Sequence, residues 1–258
     1  MKTICRVAMV AALMLPADGV AGAALASHRA FYLLSLAEAG GGLVDAKGGL
    51  ALEWRDACEG FVTQQRLSFV ALTETGGTLT HDVRFSSFEA ADGSALQFVM
   101  RSYMDGEIFD DVRGEAIRVG DQVRAIYSEP EETELMLPEE TVFPSEHMSR
   151  LLGQAAAGDR LVTYTVFDGA GQLDEAFSAV TAVVGEPTAI EGDAGAKAWP
   201  MALAYHTPGD SGADLPVFEL RFDLTDRGIM QRIELDYGDF ALRAHLDDLE
   251  LLGATACG

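Results

Sequence analysis

The sequence predicts a mainly β fold, about a dozen antiparallel strands joined by short turns around one amphipathic helix. Three observations carry this. Apolar and charged residues alternate with a period of two over most of the chain. Glycine-containing pairs punctuate the alternating runs. One segment near the middle switches to helical spacing.

Strands are expected in order at Ala30–Ala37, Leu50–Arg55, Phe61–Leu72, Val83–Ala90, Ala95–Tyr103, Glu115–Val119 and Gln122–Tyr127. Asp92-Gly93, Asp105-Gly106 and Gly120-Asp121 separate several of these runs, and such pairs between alternating segments mark tight hairpins. Glu129–Glu140, with six glutamates, reads as a solvated edge or loop. After Phe143-Pro144, Ser145 is placed to cap a helix running to Ala157, and Glu146 complements its dipole. Met148, Leu151, Leu152 and Ala155 then share one face, and Gly158 closes the helix. Further strands are expected at Leu161–Phe167, Glu175–Val184 and Ala198–His206, with loops at Ile190–Lys197 and Thr207–Asp214. The C-terminal meander is the clearest. Phe218, Leu220, Phe222 and Leu224 oppose Glu219, Arg221 and Asp223; Ile233, Leu235 and Tyr237 oppose Arg232, Glu234 and Asp236. Phe240, Leu242, Ala244 and Leu246 oppose Arg243, His245 and Asp247, and Tyr237-Gly238-Asp239-Phe240 has the glycine of a type II′ turn. A long sheet with one apolar-faced helix implies a sheet curved around or over that helix.

The chain has 258 residues and a formal charge of −23, with 48% hydrophobic residues. A surface that negative disfavours nucleic acid and anionic membrane surfaces as partners. The apolar content, with a mean hydropathy of +0.12, excludes a disordered acidic chain. Residues 1-23 read as a signal peptide: Lys2 and Arg6 precede an apolar run from Val7 to Leu15, and Ala21-Gly22-Ala23 offers a cleavage site. The run is shorter than the about 20 residues a spanning helix needs, and no later segment is apolar enough to cross. Residues 24-258 are expected to form a single domain. Export leaves Cys58 and Cys257 in an oxidising compartment, and their spacing does not suit zinc, so they read as one disulfide.

No motif here carries chemistry. His28, His81, His147, His206 and His245 show no ligand spacing, and no nucleophile elbow or phosphate loop is present. His147 is the one histidine worth testing as a base, although a helix histidine beside Glu146 reads first as structural. Asp110-Asp111 and Asp247-Asp248 point to opposite strand faces and could not share a substrate. Asp105, Glu107 and Asp110 miss the spacing of a calcium loop. No catalytic residue, cofactor or metal is therefore expected.

Several stretches together resemble the envelope-integrity protein B (EipB) family, exported proteins of Gram-negative bacteria. They are Leu25-Ala26-Ser27-His28-Arg29-Ala30-Phe31-Tyr32, Ala57-Cys58-Glu59-Gly60-Phe61, and Phe85-Ser86-Ser87-Phe88-Glu89 followed by Asp92-Gly93. Phe143-Pro144-Ser145-Glu146-His147-Met148 with Leu151-Leu152, Ala155-Ala156 and Gly158 follows, and Gly253-Ala254-Thr255-Ala256-Cys257 ends the series. Ser27 stands where proline is common and Ser145 where threonine is common. The resemblance implies a periplasmic, many-stranded β-spiral, related in shape to carriers of outer-membrane lipoproteins, with a disulfide between Cys58 and Cys257. It supplies no catalytic residue.

The expected function is thus a non-enzymatic factor of cell-envelope integrity that binds a hydrophobic ligand or an envelope protein partner. Its curved sheet would hold an acyl chain or a helix on the concave face, or fill that face with Met148, Leu151 and Leu152. An envelope hydrolase using dispersed carboxylates is the alternative, and a scaffold binding basic partners through its acidic surface is a third reading.

Overall fold

A computed structural model describes residues 24–170, 177–190, 195–207, 215–253, 255 and 257. The leader expected over residues 1-23 lies outside the described residues, as do the start of the strand expected at Glu175 and parts of the two predicted loops. Fifteen strands form one antiparallel sheet. In chain order they are β1 (His28–Glu38), β2 (Leu43–Asp56), β3 (Gly60–Thr73), β4 (Thr78–Ala90), β5 (Ala95–Met104), β6 (Glu107–Val119), β7 (Gln122–Glu129) and β8 (Thr133–Leu137). After the helix α1 (Pro144–Ala157) come β9 (Leu161–Val166), β10 (Ser178–Val184), the short β11 (Thr188–Ala189), β12 (Lys197–His206), β13 (Phe218–Thr225), β14 (Met230–Asp236) and β15 (Ala241–Leu251).

Almost every strand pairs with its neighbour in sequence, as hairpins dictate. The long-range exception is β1, which pairs with β15 along its whole length, from His28 opposite Leu251 to Glu38 opposite Ala241. The ends of the sheet are then β8 and β9, the two strands that α1 separates. A single parallel bridge spans this seam: Val142 donates its N–H to Thr165 (2.8 Å), and Phe167 donates to Val142 (3.1 Å). Phe98 on β5 meets Phe167, just past β9, at 5.5 Å between ring centroids, so the sheet curls until its two wings touch.

The alternation predicted from sequence places the core. On β1, Ala30, Tyr32 and Leu34 are buried while Phe31 and Leu33 are exposed. Inward residues of β1–β3, β9, β10 and β12–β15 join Leu151, Leu152 and Ala155 of α1 in one cluster. The helix and these side chains occupy much of the concave face, and a pocket of about 450 Å³ lined by Val166, Tyr205, Phe218 and Tyr237 remains beside them. A second cluster, containing Leu96, Phe98, Tyr127, Phe143 and Phe167, closes the other wing.

Two expectations, the Ser145 cap and the outward Asp223, need correction. Ser145 is not the helix cap: Phe143 stands at that position without a side-chain bond, Pro144 takes the first helical turn, and Ser145 lies inside it. Proline suits that place because its missing N–H is one the helix leaves unpaired anyway. The acidic stretch Glu129–Glu140, read as a solvated edge or loop, does carry the edge strand β8, with Leu137 buried opposite Val123. Asp223, predicted outward, is buried and paired with Arg232 where the β13–β14 register shifts.

Candidate functional site

One group of buried polar residues, Glu89, Trp54 and Ser145, holds the start of the helix. Glu89 at the end of β4 is buried and accepts hydrogen bonds from the N–H groups of Ser145 (2.7 Å) and Glu146 (2.9 Å). It supplies from a distant strand the cap that Phe143 cannot. Burial raises the Glu89 carboxyl pKa above its ordinary value, against the pull of those two N–H bonds. Trp54 on β2 donates its indole N–H to the Ser145 hydroxyl at 3.1 Å, which ties a second strand to the same turn. Sequence reasoning gave Glu89 no role; the available signal was an acid on the inward face of β4, in line with Ser87 and Phe85.

The histidines do not assemble a catalytic group. His147 is buried edge-on to Tyr164 at 5.0 Å, its Nε2 has no hydrogen-bond partner, and burial lowers its pKa to about 4. It is a neutral core ring at physiological pH. His28 is buried with Nδ1 2.7 Å from the Ala26 carbonyl, and His81 packs edge-on against Phe69. The carboxylates are spread in the same manner. Asp110 accepts from Ser102 and Asp111 from Arg101, while Asp105 accepts the Thr80 N–H at 2.8 Å. Asp247 and Asp248 are exposed on β15. Among the described residues no three His, Cys, Asp or Glu side chains come together to hold a metal ion.

The outer face of the sheet carries the more distinctive arrangement. A groove of about 680 Å³ crosses β15, β1, β2, β3, β4 and β5. It shares Gln64, Ser86 and Val99 with a second trough of about 630 Å³ that continues toward β7. Four arginines line the first groove, Arg29, Arg66, Arg84 and Arg101, in a chain of only 18 basic residues. Strand register sets three of them side by side: Arg66 is opposite Arg84, and Arg84 is opposite Arg101. Directly opposed like charges destabilise a sheet unless something offsets them. Asp82 supplies most of the offset, accepting Arg66 through both oxygens at 2.9 Å and Arg84 at 2.7 Å. Arg66 holds the Asp82 carboxyl below its usual range, with Arg84 adding to the effect. Asp111 accepts Arg101 at 2.9 Å, and Arg84 lies 4.8 Å over the Tyr103 ring. Sequence reasoning missed this ladder, since each arginine is an ordinary outward residue until the register aligns them.

At the rim of the sheet, Cys58 follows β2 and is disulfide-bonded to Cys257, with Cα atoms 5.7 Å apart. Thr255 donates to the Asp56 carbonyl beside it, and Leu252 donates to Ser27 at 2.8 Å. This is the pairing that the cysteine arithmetic and the motif resemblance both predict.

The EipB-like family model matches residues 20–253. This chain belongs to the EipB-like family. A relative, the cell envelope integrity protein EipB of Brucella abortus (strain 2308), is 32% identical over 252 residues, covering 90% of this chain and 89% of the relative. A solved structure of a beta-barrel-like protein of a domain of unknown function, also from Brucella abortus, aligns with a TM-score of 0.84 at 30% identity. It covers 90% of this chain and 100% of that one. Family membership therefore extends over the rolled sheet, the helix and the strands that carry the arginine ladder. No described helix is long and apolar enough to cross a membrane.

Proposed function

We propose that this EipB-like chain is exported through a cleavable leader at residues 1-23, acts in the periplasm, and maintains the envelope by binding an envelope component without catalysing a reaction. The relative's name, cell envelope integrity protein, supports the role. The observation that carries the mode of action is the division of labour across the sheet. Much of the inside is occupied by α1, with Glu89, Trp54 and Ser145 engaged in holding it, while grooves of about 680 and 630 Å³ lie on the outer face. Pre-formed relief with a few convergent polar groups is what a binding surface requires. His147, neutral and enclosed, is in no position to act as a base on a solvent-borne substrate.

Intact-mass measurement of periplasmic material is expected to show loss of about 23 residues, as the leader pattern requires. Full-length chain recovered in the membrane fraction would refute export by cleavage. A strain lacking the protein should lose resistance to detergent or cell-wall stress and regain it with the mature chain supplied behind a different leader. Absence of any envelope phenotype would remove the functional reading.

A further inference from the structure

The arginine ladder continues a cross-strand row that starts apolar. Phe31 on β1 stands opposite Ala51 on β2, Ala51 opposite Arg66 on β3, and then come Arg84 and Arg101. Adjacent strands lie about 4.8 Å apart, so the three guanidinium positions span roughly 10 Å and the whole row roughly 19 Å. At the apolar end the Phe31 ring lies against Gly49, where a Cβ would meet it at 2.8 Å, and Leu33 is exposed beside it. Beyond Phe31 stand Asp248 and Glu250, and Arg29 lines the same end, paired with Glu53 at 2.7 Å and with Glu250 at 3.4 Å. The row is therefore polarised, apolar at β1–β2 and cationic at β3–β5.

The cationic end is not fully neutralised. Three arginines face two carboxylates, Asp82 and Asp111, and one Asp82 oxygen accepts from both Arg66 and Arg84. Each guanidinium has five N–H donors, and these bonds use at most two nitrogens of each. A tetrahedral oxyanion presents several oxygens in different directions and can accept from neighbouring forks at once, whereas one carboxylate is matched by one fork. We propose that this groove binds a single phosphorylated amphiphile, its phosphate over Arg66, Arg84 and Arg101 and its apolar part along Ala51 and Phe31 toward Leu33. The ligand is one lipid molecule and not a bilayer, because a chain of charge −23 is repelled by an anionic surface. This assignment rests on the reading that the protein works by binding an envelope component.

The test uses the mature, disulfide-intact chain and dihexanoyl phosphatidylglycerol below its micelle concentration, followed by calorimetry. Saturable binding is expected, with dihexanoyl phosphatidylcholine and inorganic phosphate each weaker by at least about tenfold, since each lacks the net charge or the apolar part. The paired substitutions Arg84→Gln and Arg101→Gln should weaken binding by at least about tenfold without lowering Tm. Asp82→Asn, which releases Arg66 and Arg84 to the ligand, should tighten it; a purely structural ladder predicts no gain. Inorganic phosphate binding as tightly as the lipid would overturn the amphiphile, and phosphatidylcholine binding equally well would overturn the phosphate. Failure of Asp82→Asn to tighten binding, or no binding at all, would overturn the site. If no lipid binds while the wild-type chain still rescues the deletion strain, the ligand is wrong and the envelope role stands.

Discussion

Glu89, bound to the N–H groups of Ser145 and Glu146, and His147, packed against Tyr164, meet at the first turn of the helix and answer acid with opposite signs. Glu89→Met keeps the length of the side chain but leaves the buried Ser145 N–H and its neighbour at Glu146 without their acceptor. Stability is expected to fall by about 2 kcal/mol, the cost of unsatisfied donors less the relief of burying no charge. A urea titration with an unchanged slope would check this, and an unshifted midpoint would show that the cap is dispensable. His147 titrates near pH 4 when folded and near 6.5 when unfolded. The unfolded chain therefore binds the proton first, so its contribution to stability is intact above pH 6.5 and is lost as pH falls toward 4, by about 3 kcal/mol. Glu89, held above its ordinary range, shifts the balance the other way in acid. Comparing wild type with His147→Phe isolates the histidine: the variant should lose less stability between pH 7 and pH 4.5. Parallel pH curves would mean that His147 is not held neutral. Of these two residues the sequence exposed one. The helix motif drew attention to His147, but a cap supplied from 56 residues away leaves no local trace.

The hairpins were the most legible elements because their turns need particular residues. Gly93, Gly106, Gly120 and Gly238 all adopt positive φ, at 68°, 86°, 60° and 83°, in the turns where their pairs predict them. Strand extents were less legible. β2 begins at Leu43, where Lys47-Gly48-Gly49 interrupts the alternation, and β6 begins at Glu107, where Ile108 and Phe109 are both exposed. In each case pairing with a well-formed neighbour sustains a strand that its own pattern does not announce. Gly48 is required there for a different reason: a Cβ would meet the Ser68 carbonyl at 2.0 Å, so β2 approaches β3 closely at that point. The helix was legible by its spacing: Leu151, Leu152 and Ala155 of its apolar face are buried as expected, while Met148 is half-buried at the edge of the core. Leu151 is fully buried in the principal core, and Leu151→Ala should cost about 3 kcal/mol from lost burial and the cavity left behind. A thermal melt measures this directly; a loss within error of zero would mean that α1 contributes little to holding the roll.

At the level of the whole molecule, a meander of local hairpins becomes a roll through contacts that join the chain's distant parts. β1 pairs with β15, the bridge at Val142 spans the seam beside α1, and the Cys58–Cys257 disulfide binds the segment after β15 to the turn after β2. No local pattern announces the first two: the β1–β15 partners lie more than 200 residues apart and share no turn, and the partners of the Val142–Val166 bridge are separated by the whole helix. The disulfide was legible because cysteine is scarce here and cleavage of the expected leader would leave an even pair. It closes a loop of 199 residues, for which the chain-entropy argument gives about 5 kcal/mol before any native strain. That is comparable to the entire stability of many domains. The register adds a structural reason for the effect to be large. Leu252 bonds to Ser27 and Thr255 to Asp56, so without the disulfide the C-terminal tail rests on a few exposed bonds at the rim. Cys58→Ser should therefore lower Tm markedly under oxidising conditions, and the wild-type protein treated with reductant should melt where the variant does. Fraying should begin at β15 and reach β1, releasing Arg29 and Phe31 from one end of the groove while α1 stays in place. Hydrogen exchange would resolve the order, with early loss of protection in β15 and β1 and later loss in β9 and β10. Thiol labelling of denatured, unreduced protein decides the premise: if Cys58 and Cys257 both label, no bond joins them, and the roll is held by its strand pairing alone.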